Sequence, residues 1–313
     1  MTFKQSTEND IPAMVGLLKF SLGESIVKKT DQIWDYKHRL NPFGKSYVLL
    51  AEEDEKLIGL RAFMQWKWQI GTKTWQAYRA VDTATHPDFQ GKGIFKKLTL
   101  QAISAVGASH DSFIFNTPNN KSRPGYLKMG WVIVDKIKLA LVPSFLYWPM
   151  VVFAKRIAFG NPISDQQLDS LCSAYNDKLA AGAMLFTPKS AAYLRWRYEL
   201  NPIQEYTVVS GANWYLAFYL KKHKYFNELR VAELISVEED ADHRIIKKIL
   251  IQAAVEKGCF IISCSDKSLF SLRLYGSYGP QLTFKDLTNS DELQHYKEDV
   301  DNWQYQLGDL ELF

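Results

Sequence analysis

A seven-residue stretch recurs 160 residues further along this chain of 313 residues, and the repeat constrains the fold more than any other feature. The sequence YKHRLNP occupies 36–42 and WRYELNP occupies 196–202, and a Val-containing strand candidate follows each copy. Such recurrence is typical of duplicated structural units. The sequence therefore predicts a first domain over 1–142, an apolar linker over 143–160 and a second domain over 161–313.

Hydrophobic periodicity predicts the same order of helices and strands in both halves. In the first half we expect helices from Ile11, from Asp31 to Leu40, from Ile94 and over 119–129, with strands at 3–7, 47–51, 57–68, 74–85, 112–116 and 131–141. In the second half we expect helices at 164–180, 188–199, 242–257 and 267–274, with strands at 206–210, 213–220, 226–237, 259–264 and 280–286. This mixture indicates the α+β class.

The composition is that of a globular protein, because 47% of the residues are hydrophobic and 14% are aromatic. Lys and Arg number 38 against 34 Asp and Glu, and the charges alternate in sign, so no nucleic-acid partner is predicted. The three cysteines show no CxxC spacing. They favour reduced thiols in a cytoplasmic protein, and no metal site is expected.

No transmembrane segment is predicted. The first residues, MTFKQSTENDIPAM, lack the basic and apolar regions of a signal peptide. The most apolar run, FLYWPMVVFA over 145–154, has ten residues, whereas a spanning helix needs about 20. We interpret this run as an interdomain or core segment. The alternative is peripheral membrane contact, with Trp148 at the headgroups and Lys155 and Arg156 on phosphates.

The segment from Val81 to Leu98 carries the candidate chemistry, because it reads as a strand, a glycine-containing turn and a helix. Such a turn exposes the unpaired N–H groups of the helix N-terminus, which suit a bound phosphate. Gly91 and Gly93 let the backbone approach an anion closely, and three lysines of the segment add positive charge. The pattern lacks both the GK[ST] of a P-loop and the GxGxxG of a dinucleotide-binding fold.

This segment resembles the main motif of the GNAT (Gcn5-related N-acetyltransferase) superfamily, which is Q/R-x-x-G-x-G/A after a strand and a proline. The run Gln90-Gly91-Lys92-Gly93-Ile94 matches it, with Pro87 three residues before Gln90. The chain departs from the motif at Phe95, where the family has Gly or Ala.

A second feature of the family also matches this chain. The family has an Asn, then a small residue, then Tyr-x-K-x-G-F at the close of the next helix. Asn119, Ser122 and the run from Tyr126 to Trp131 follow this pattern, and Tyr126 lies seven positions after Asn119, as in the family. The resemblance covers 1–142 directly and 161–313 as a degenerate copy.

The resemblance implies two tandem GNAT-like domains, an organisation found in Eis-type and Fem-type proteins. Each domain would be a mixed, mostly antiparallel sheet flanked by helices. In the first domain two parallel strands would splay apart and bind acetyl-CoA between them. By the match, these are the strands that end at Thr85 and Asn116.

The resemblance also implies roles for individual residues. Backbone groups of Ala84 and Thr85 would pair with the pantetheine arm, which Asn119 would also contact. Tyr126 would protonate the leaving thiolate as a general acid, and Gln90 would close the phosphate loop. The diphosphate would be held by the main-chain amides of Gly91, Lys92, Gly93, Ile94 and Phe95.

The implied reaction is direct acetyl transfer to a primary amine of a small molecule, such as an amino sugar, an aminoglycoside-like compound or an amino-acid derivative. The base is left open between Asp82, His86, water and, as in Eis-type proteins, the terminal carboxylate of Phe313. As a base, Asp82 would need a pKa raised by burial. Its alternative role is to order neighbouring backbone or to pair with Arg79.

The corresponding turn of the second half is EEDADHR over 238–244, which contains no glycine. Negative charge at a helix N-terminus repels phosphate and caps the helix. The second domain is therefore expected to bind no cofactor and to form one wall of the acceptor cleft. Trp196, Trp214, Tyr215 and Trp303 are interpreted as core residues, with a sugar or aromatic pocket as the alternative.

Two other functions stay open from the sequence. Phe95 and the apolar run over 145–154 are compatible with transfer of a longer acyl or an aminoacyl group, as in tandem myristoyl- and Fem-type transferases. The chain could also bind acyl-CoA without turnover. The acceptor, the acyl length and the oligomeric state do not follow from the sequence.

Overall fold

The computed structural model describes residues 1–24, 27–107, 111–149, 163–288 and 290–310. Its helices are Ile11–Leu22 (α1), Asp31–His38 (α2), Ile94–Val106 (α3), Arg123–Lys128 (α4), Asp165–Ala180 (α5), Ala191–Leu194 (α6), Glu239–Glu256 (α7), Gln294–Glu298 (α8) and Leu307–Leu310 (α9). Its strands are Thr2–Gln5 (β1), Tyr47–Glu53 (β2), Lys56–Ile70 (β3), Lys73–Thr85 (β4), Ser112–Asn116 (β5), Val132–Lys136 (β6), Leu139–Pro143 (β7), Leu185–Phe186 (β8), Thr207–Ser210 (β9), Trp214–Lys222 (β10), Asn227–Ser236 (β11), Cys259–Cys264 (β12), Leu274–Gly276 (β13), Gln281–Asp286 (β14) and Trp303–Gln304 (β15).

The strands form two sheets. The first has the order β1-β2-β3-β4-β5-β14-β6, with β8 and β15 beside β3, and the second has the order β13-β7-β12-β11-β10-β9. Among the described strands, the parallel pairs are β4/β5, β11/β12 and β8/β15, and the other neighbours are antiparallel. The predicted α+β class, with mixed and mostly antiparallel sheets and a parallel pair in the first, is confirmed.

Each sheet contains strands from the other half of the sequence: the first sheet includes β14 with the short strands β8 and β15, and the second includes β7. Strand β14 lies between β5 and β6, and β7 lies between β12 and β13, antiparallel to its neighbours in each case. The strand predicted over 131–141 is therefore two strands, and the chain changes sheets at Ile137. Gly279 packs there so closely that a Cβ would lie 2.8 Å from the Ile137 Cβ. The halves are interlocked, and the division at residue 142 stays a prediction.

The two copies of the repeated heptapeptide face each other in the core. The rings of Tyr36 and Trp196 stack with their centroids 5.2 Å apart. The Tyr36 hydroxyl donates to the Trp196 carbonyl at 2.8 Å, and Trp196 Nε1 donates to the Tyr36 carbonyl at 2.9 Å. Asn41 and Asn201 each accept the N–H two residues later, so the turn has the same form in both copies. Reciprocal contacts of this kind are those of a two-fold relation, which supports the duplication.

Two predicted helices differ from the structure. The prediction of a short helix over 267–274 is wrong. Asp266 Oδ1 accepts the amides of Ser268 and Leu269 at 2.6 and 3.2 Å, so the chain forms a turn there instead. The side chain competes for amides that a helix would leave for its own first turn. The helix predicted over 188–199 begins later, as α6, and ends in a π-helical turn.

Aromatic side chains from both halves fill the core beside the first sheet. Trp68 packs edge-on against Trp303, with ring centroids 4.8 Å apart, and Trp66 packs against Trp196 at 6.3 Å. The four residues interpreted as core from the sequence are all buried: Trp196, Trp214, Tyr215 and Trp303. Their burial supports the core interpretation over a surface pocket.

The predicted linker over 143–160 lies partly outside the described residues. In its described part, the Ser144 hydroxyl donates to a main-chain carbonyl of β12, and the Tyr147 ring packs on Phe270 at 5.8 Å. These contacts support a core role for that part. The basic pair at 155–156 lies outside the described residues. Within the described ranges, none of the helices has both the length and the apolar character needed to cross a membrane.

A charged cluster is enclosed where α9 meets the second sheet. Lys189 Nζ lies 2.9 Å from Glu233 Oε2 and 2.8 Å from Asp309 Oδ1, and all three side chains are buried. The hydroxyls of Tyr198 and Tyr193 donate to the same two carboxylates at 2.9 Å. Burial raises the pKa of Glu233, and Asp309 adds to the rise against the opposing effect of Lys189. Two buried carboxylates thus depend on one cation.

The replacement Lys189→Met is expected to lower the free energy of unfolding by about 3–5 kcal/mol, because both buried carboxylates lose their cation. Glu233→Gln is the matched control. It keeps the side-chain volume and leaves Lys189 paired with Asp309, so we expect a loss of at most about 1.5 kcal/mol. Urea unfolding followed by tryptophan fluorescence measures both changes. Equal losses would contradict this account of the cluster.

Candidate active site at the ends of strands β4 and β5

Strands β4 and β5 separate where the candidate site opens. They pair over four residues, up to Arg79 and Phe115, after which β4 continues to Thr85 without β5. The Arg79 guanidinium donates to the carbonyls of Asp309 and Leu310 at 3.1 and 2.8 Å. Helix α9 therefore lies against the gap between the two strands.

The gap forms the inner end of a cleft of about 880 Å³. Its walls are the end of β4, the turn before α3, the loop after β5 and α4. Ten predicted site residues line it: Asp82, Ala84, Thr85, Gln90, Gly91, Gly93, Ile94, Phe95, Asn119 and Tyr126. Lys92 does not line the cleft, and its Nζ lies 4.4 Å from the centre of the Phe89 ring. The structure thus brings the two sequence motifs together around one space.

The turn between β4 and α3 presents main-chain amides to this cleft. Gly91 and Gly93 have φ values of 79° and 74°, which strain any residue with a Cβ. Because Gly93 is the N-cap of α3, no side chain accepts from the first amides of the helix. The side-chain Nε2 of Gln90 donates to the Thr85 carbonyl at 3.4 Å and closes the loop. Free amides at a helix N-terminus fit an anionic diphosphate.

Tyr126 of α4 has its hydroxyl held in place beside the same cleft. Its ring packs edge-on against Phe95 and Trp131, with centroid distances of 5.6 and 5.1 Å. Arg61 Nη1 donates to the Tyr126 hydroxyl oxygen at 2.7 Å. The hydroxyl hydrogen has no acceptor among the described residues, so it remains available to a ligand in the cleft.

Asn119 has local partners that the sequence analysis did not anticipate. Its Oδ1 accepts the amides of Lys121 and Ser122 at 3.0 and 2.9 Å, and the Ser122 hydroxyl at 3.1 Å. These bonds fix the turn that leads into α4 and so position Tyr126. A contact between Asn119 and a cofactor arm stays a prediction.

Arg61 of β3 is a site residue that the sequence analysis missed. It is fully buried, and its Nη1 also donates to the Thr83 hydroxyl. The guanidinium carbon lies 4.6 and 5.2 Å from the ring centres of Phe63 and Tyr126. Its Nε and Nη2 find no acceptor within the described part of the chain. The signal in the sequence is a single charge within the apolar run LIGLRAFM over 57–64.

Asp82 lies on a β-bulge of β4 with a φ of 39°, which is rare for a residue with a Cβ. Its Oδ2 accepts from Lys37 and from His38 Nε2, the latter at 2.9 Å, and its Oδ1 pairs with no described residue. Burial alone would raise the pKa of Asp82, but Lys37 and His38 outweigh it and lower that pKa. Asp82 therefore lacks the raised pKa that a general base would need. The carboxylate pairs with Lys37 and His38 rather than with Arg79.

The other candidate bases lie away from the cleft or outside the described residues. The His86 ring packs edge-on against Phe89 at 5.7 Å and stands apart from the cleft wall. The terminal carboxylate of Phe313 lies outside the described residues. Leu310, the last of the described residues, accepts from the hydroxyl of Thr117 in the cleft wall at 3.4 Å.

The corresponding turn of the second half is occupied by a carboxylate of the chain itself. Asp242 Oδ2 accepts the Glu238 amide at 3.1 Å and the Ser236 hydroxyl at 2.9 Å. A negative side chain therefore stands where the first half presents free amides, and it would repel a phosphate. This agrees with the expectation of a degenerate second domain.

Comparison with known proteins identifies the family of the first half. Residues 2–134 match the family model described as acetyltransferase (GNAT) domain. Residues 2–134 form a GNAT acetyltransferase domain. The assignment based on the Gln90–Ile94 motif and the Asn119–Tyr126 spacing is confirmed for this part of the chain, and the domain supports an acyltransferase activity. No curated protein sequence matches the chain.

Solved structures of GNAT proteins share the fold of most of the chain. A GCN5-related N-acetyltransferase from Anabaena variabilis has a TM-score of 0.66 at 11% identity, over 92% of this chain and 73% of that chain. Eis1 from Mycobacterium abscessus has a TM-score of 0.58 at 12% identity, over 92% and 74%. N-myristoyltransferase from Saccharomyces cerevisiae, solved with bound myristoylCoA, has a TM-score of 0.55 at 10% identity, over 91% and 82%. At such identities the likeness shows the fold alone.

Arg61→Met is expected to leave the free energy of unfolding unchanged or to raise it by about 1 kcal/mol, because it removes a buried charge with two unpaired donors. Arg79→Met is the matched control on the neighbouring strand. We expect it to lower the free energy of unfolding by about 1–3 kcal/mol, since two buried carbonyls of α9 lose their donor. Urea unfolding measures both. A comparable loss for Arg61→Met would assign Arg61 to the core and not to the site.

Proposed function

We propose that this chain transfers an acetyl group from acetyl-CoA to a primary amine of a small molecule. The observation that supports it most is one continuous cleft with free amides at the α3 turn and the Tyr126 hydroxyl along its wall. These are the two groups that acyl transfer from a CoA thioester needs, one for the diphosphate and one for the leaving sulfur.

Several residues of this chain would bind the CoA moiety, which supplies an activated acetyl thioester. The amides from Gly91 to Phe95 would hold the diphosphate, with Lys96 adding positive charge beside them. The backbone of Ala84 and Thr85 lies in the cleft wall where β4 has lost β5 as a partner, so it can pair with the pantetheine arm. The separation of the strands thus supplies hydrogen-bonding groups as well as space.

Tyr126 is the proposed general acid for the leaving thiolate. The hydrogen bond from Arg61 polarises the Tyr126 hydroxyl, which strengthens it as a donor. It also fixes the direction in which the hydroxyl hydrogen is offered. Arg61 is therefore a positioning residue that acts through Tyr126.

Asp82 is proposed to attract the acceptor amine rather than to deprotonate it. The carboxylate is held ionised by Lys37 and His38, which makes it a weak base. Its Oδ1, which pairs with no described residue, can accept from an ammonium group in the cleft. The proton then passes to water or to the terminal carboxylate of Phe313, the two remaining candidates.

A short acyl group is favoured over a long one. The core space behind the gap is filled by the side chains of Trp66 and Phe115, which are both fully buried. The cavity that adjoins the cleft at Asp82 has a volume of only about 20 Å³. A space of this size holds one or two water-sized atoms. It has no room for the tail of a fatty acyl chain.

Tyr126→Phe is expected to slow thiol release from acetyl-CoA at least about 100-fold with a panel of primary amines, because the general acid is lost. The dissociation constant for CoA, measured by calorimetry, should change less than about twofold, since the ring and its packing remain. Tyr225→Phe, at an exposed position, is the matched control. Thiol release as fast as in the wild type would refute the acid assignment. Binding without release in the wild type would favour a non-catalytic acyl-CoA binder.

The acyl length is tested by thermal shifts with CoA, acetyl-CoA and myristoyl-CoA at equal concentration. Binding stabilises the folded state by RT ln(1 + [L]/Kd), about 2.7 kcal/mol at 100 Kd. We expect acetyl-CoA to shift the melting temperature at least as much as CoA, and myristoyl-CoA to add nothing beyond CoA. A larger shift with myristoyl-CoA would favour a long-chain acyltransferase.

A further inference from the structure

A second, smaller cavity adjoins the cleft at Asp82, between α1, α2 and β4. Its volume is about 20 Å³, and in the described part of the chain Asp82 is the residue that lines both spaces. An acceptor amine bound at Asp82 would therefore have its neighbouring atoms beside this cavity.

The cavity contains more positive than negative charge. Lys29 and Lys37 line it together with the single carboxylate of Asp82. His38 also lines it, but burial lowers the pKa of its imidazole and so favours the neutral form. The Asp82 Oδ2 already accepts from Lys37 and His38. Lys29 Nζ donates only to the Val27 carbonyl, at 3.2 Å, and no carboxylate of the described residues lies within 4 Å of it.

Most of the rest of the cavity wall is apolar, and the Lys29 side chain beside it is half-buried. Leu18, Ile33 and Trp34 are among its neighbours. Burial lowers the pKa of Lys29, in the direction expected for a cation withdrawn from water. A charge in such surroundings is stabilised when an anion of matching size occupies the space next to it.

The second half of the chain shows which anion fits such a lysine. Lys189 stands 160 residues after Lys29, and each immediately precedes the N-cap residue of a helix, Ser190 and Thr30. Lys189 pairs with Glu233, which lies beside the bulge of β11 as Asp82 lies on the bulge of β4. It also pairs with a second carboxylate.

That second carboxylate is Asp309, delivered by α9, with its Oδ1 2.8 Å from Lys189 Nζ. At Lys29 the described residues supply no counterpart of Asp309. In the second half, a carboxylate of the chain itself thus binds the lysine. In the first half, we infer that a carboxylate of a ligand takes the corresponding position.

We propose that the acceptor is a compact amino acid, with its carboxylate on Lys29 and its amine at Asp82 Oδ1. This inference rests on the proposed acetyltransferase function and narrows its acceptor. It disfavours aminoglycoside-like acceptors, because their additional ammonium groups would lie against Lys29 and Lys37. The volume of the cavity matches the oxygens of one carboxylate and excludes a larger anionic group.

The test compares amino acids with their own carboxamides as acceptors, by thiol release from acetyl-CoA with the full chain. The two members of each pair have the same amine and the same shape and differ in the negative charge. For the best pair, wild type is expected to show a kcat/KM at least about tenfold higher for the acid than for the carboxamide.

Variants at Lys29 separate charge recognition from proton transfer. Lys29→Met should remove the preference for the acid, through KM, whereas Lys29→Arg should keep most of it because it retains the charge and cannot act as a base. Lys28→Met, at the neighbouring exposed lysine, is the control and should behave as wild type. Equal loss of kcat in both Lys29 variants would show a proton-transfer role and overturn the proposal.

Two further outcomes distinguish this inference from the proposed function. If wild type acetylates carboxamides or polyamines as fast as amino acids, the carboxylate assignment is wrong and the acetyltransferase stands. If no amine in the panel releases thiol although CoA binds in calorimetry, both proposals are wrong.

Discussion

The separation of strands β4 and β5 is the constraint on which the rest of the site depends. A parallel pair that stayed hydrogen-bonded beyond Arg79 and Phe115 would close the cleft and satisfy the backbone of Ala84 and Thr85. Instead, the Arg79 guanidinium binds carbonyls of α9, and Asp82 leaves the regular pleat with a positive φ. The unpaired backbone of β4 is stable only where water or a ligand can satisfy it, which is why the site opens there.

The second half of the chain completes the first. It supplies β14 beside β5 and α9 against the gap, while the first half supplies β7 to the second sheet. The two units, one in each half of the chain, differ at the corresponding lysine. One unit is open at Lys29 and Asp82, and the other is filled by Asp309 at Lys189. Within the described residues, the second half supplies a carboxylate to Lys189, whereas Lys29 Nζ donates only to the Val27 carbonyl.

The parts of the site that lie within one short segment of the chain could be predicted from the sequence. The glycine turn and the Asn119–Tyr126 spacing each lie within one strand-turn-helix segment, so their placement could be predicted. Arg61 and Lys37 could not be assigned, because they meet Tyr126 and Asp82 from elements that are distant in the chain, and no spacing along the chain records that contact. Likewise, the sequence predicts a strand over 280–286 but not the sheet that this strand joins.

The central claim is that the amides after Gln90 hold a diphosphate and thereby place a thioester beside Tyr126. A crystal structure of the full chain with CoA tests it most directly. The account predicts the diphosphate oxygens within hydrogen-bond distance of the amides from Gly91 to Phe95, and the sulfur within reach of the Tyr126 hydroxyl. A cleft that stays empty at saturating CoA, or CoA bound elsewhere on the chain, would contradict it.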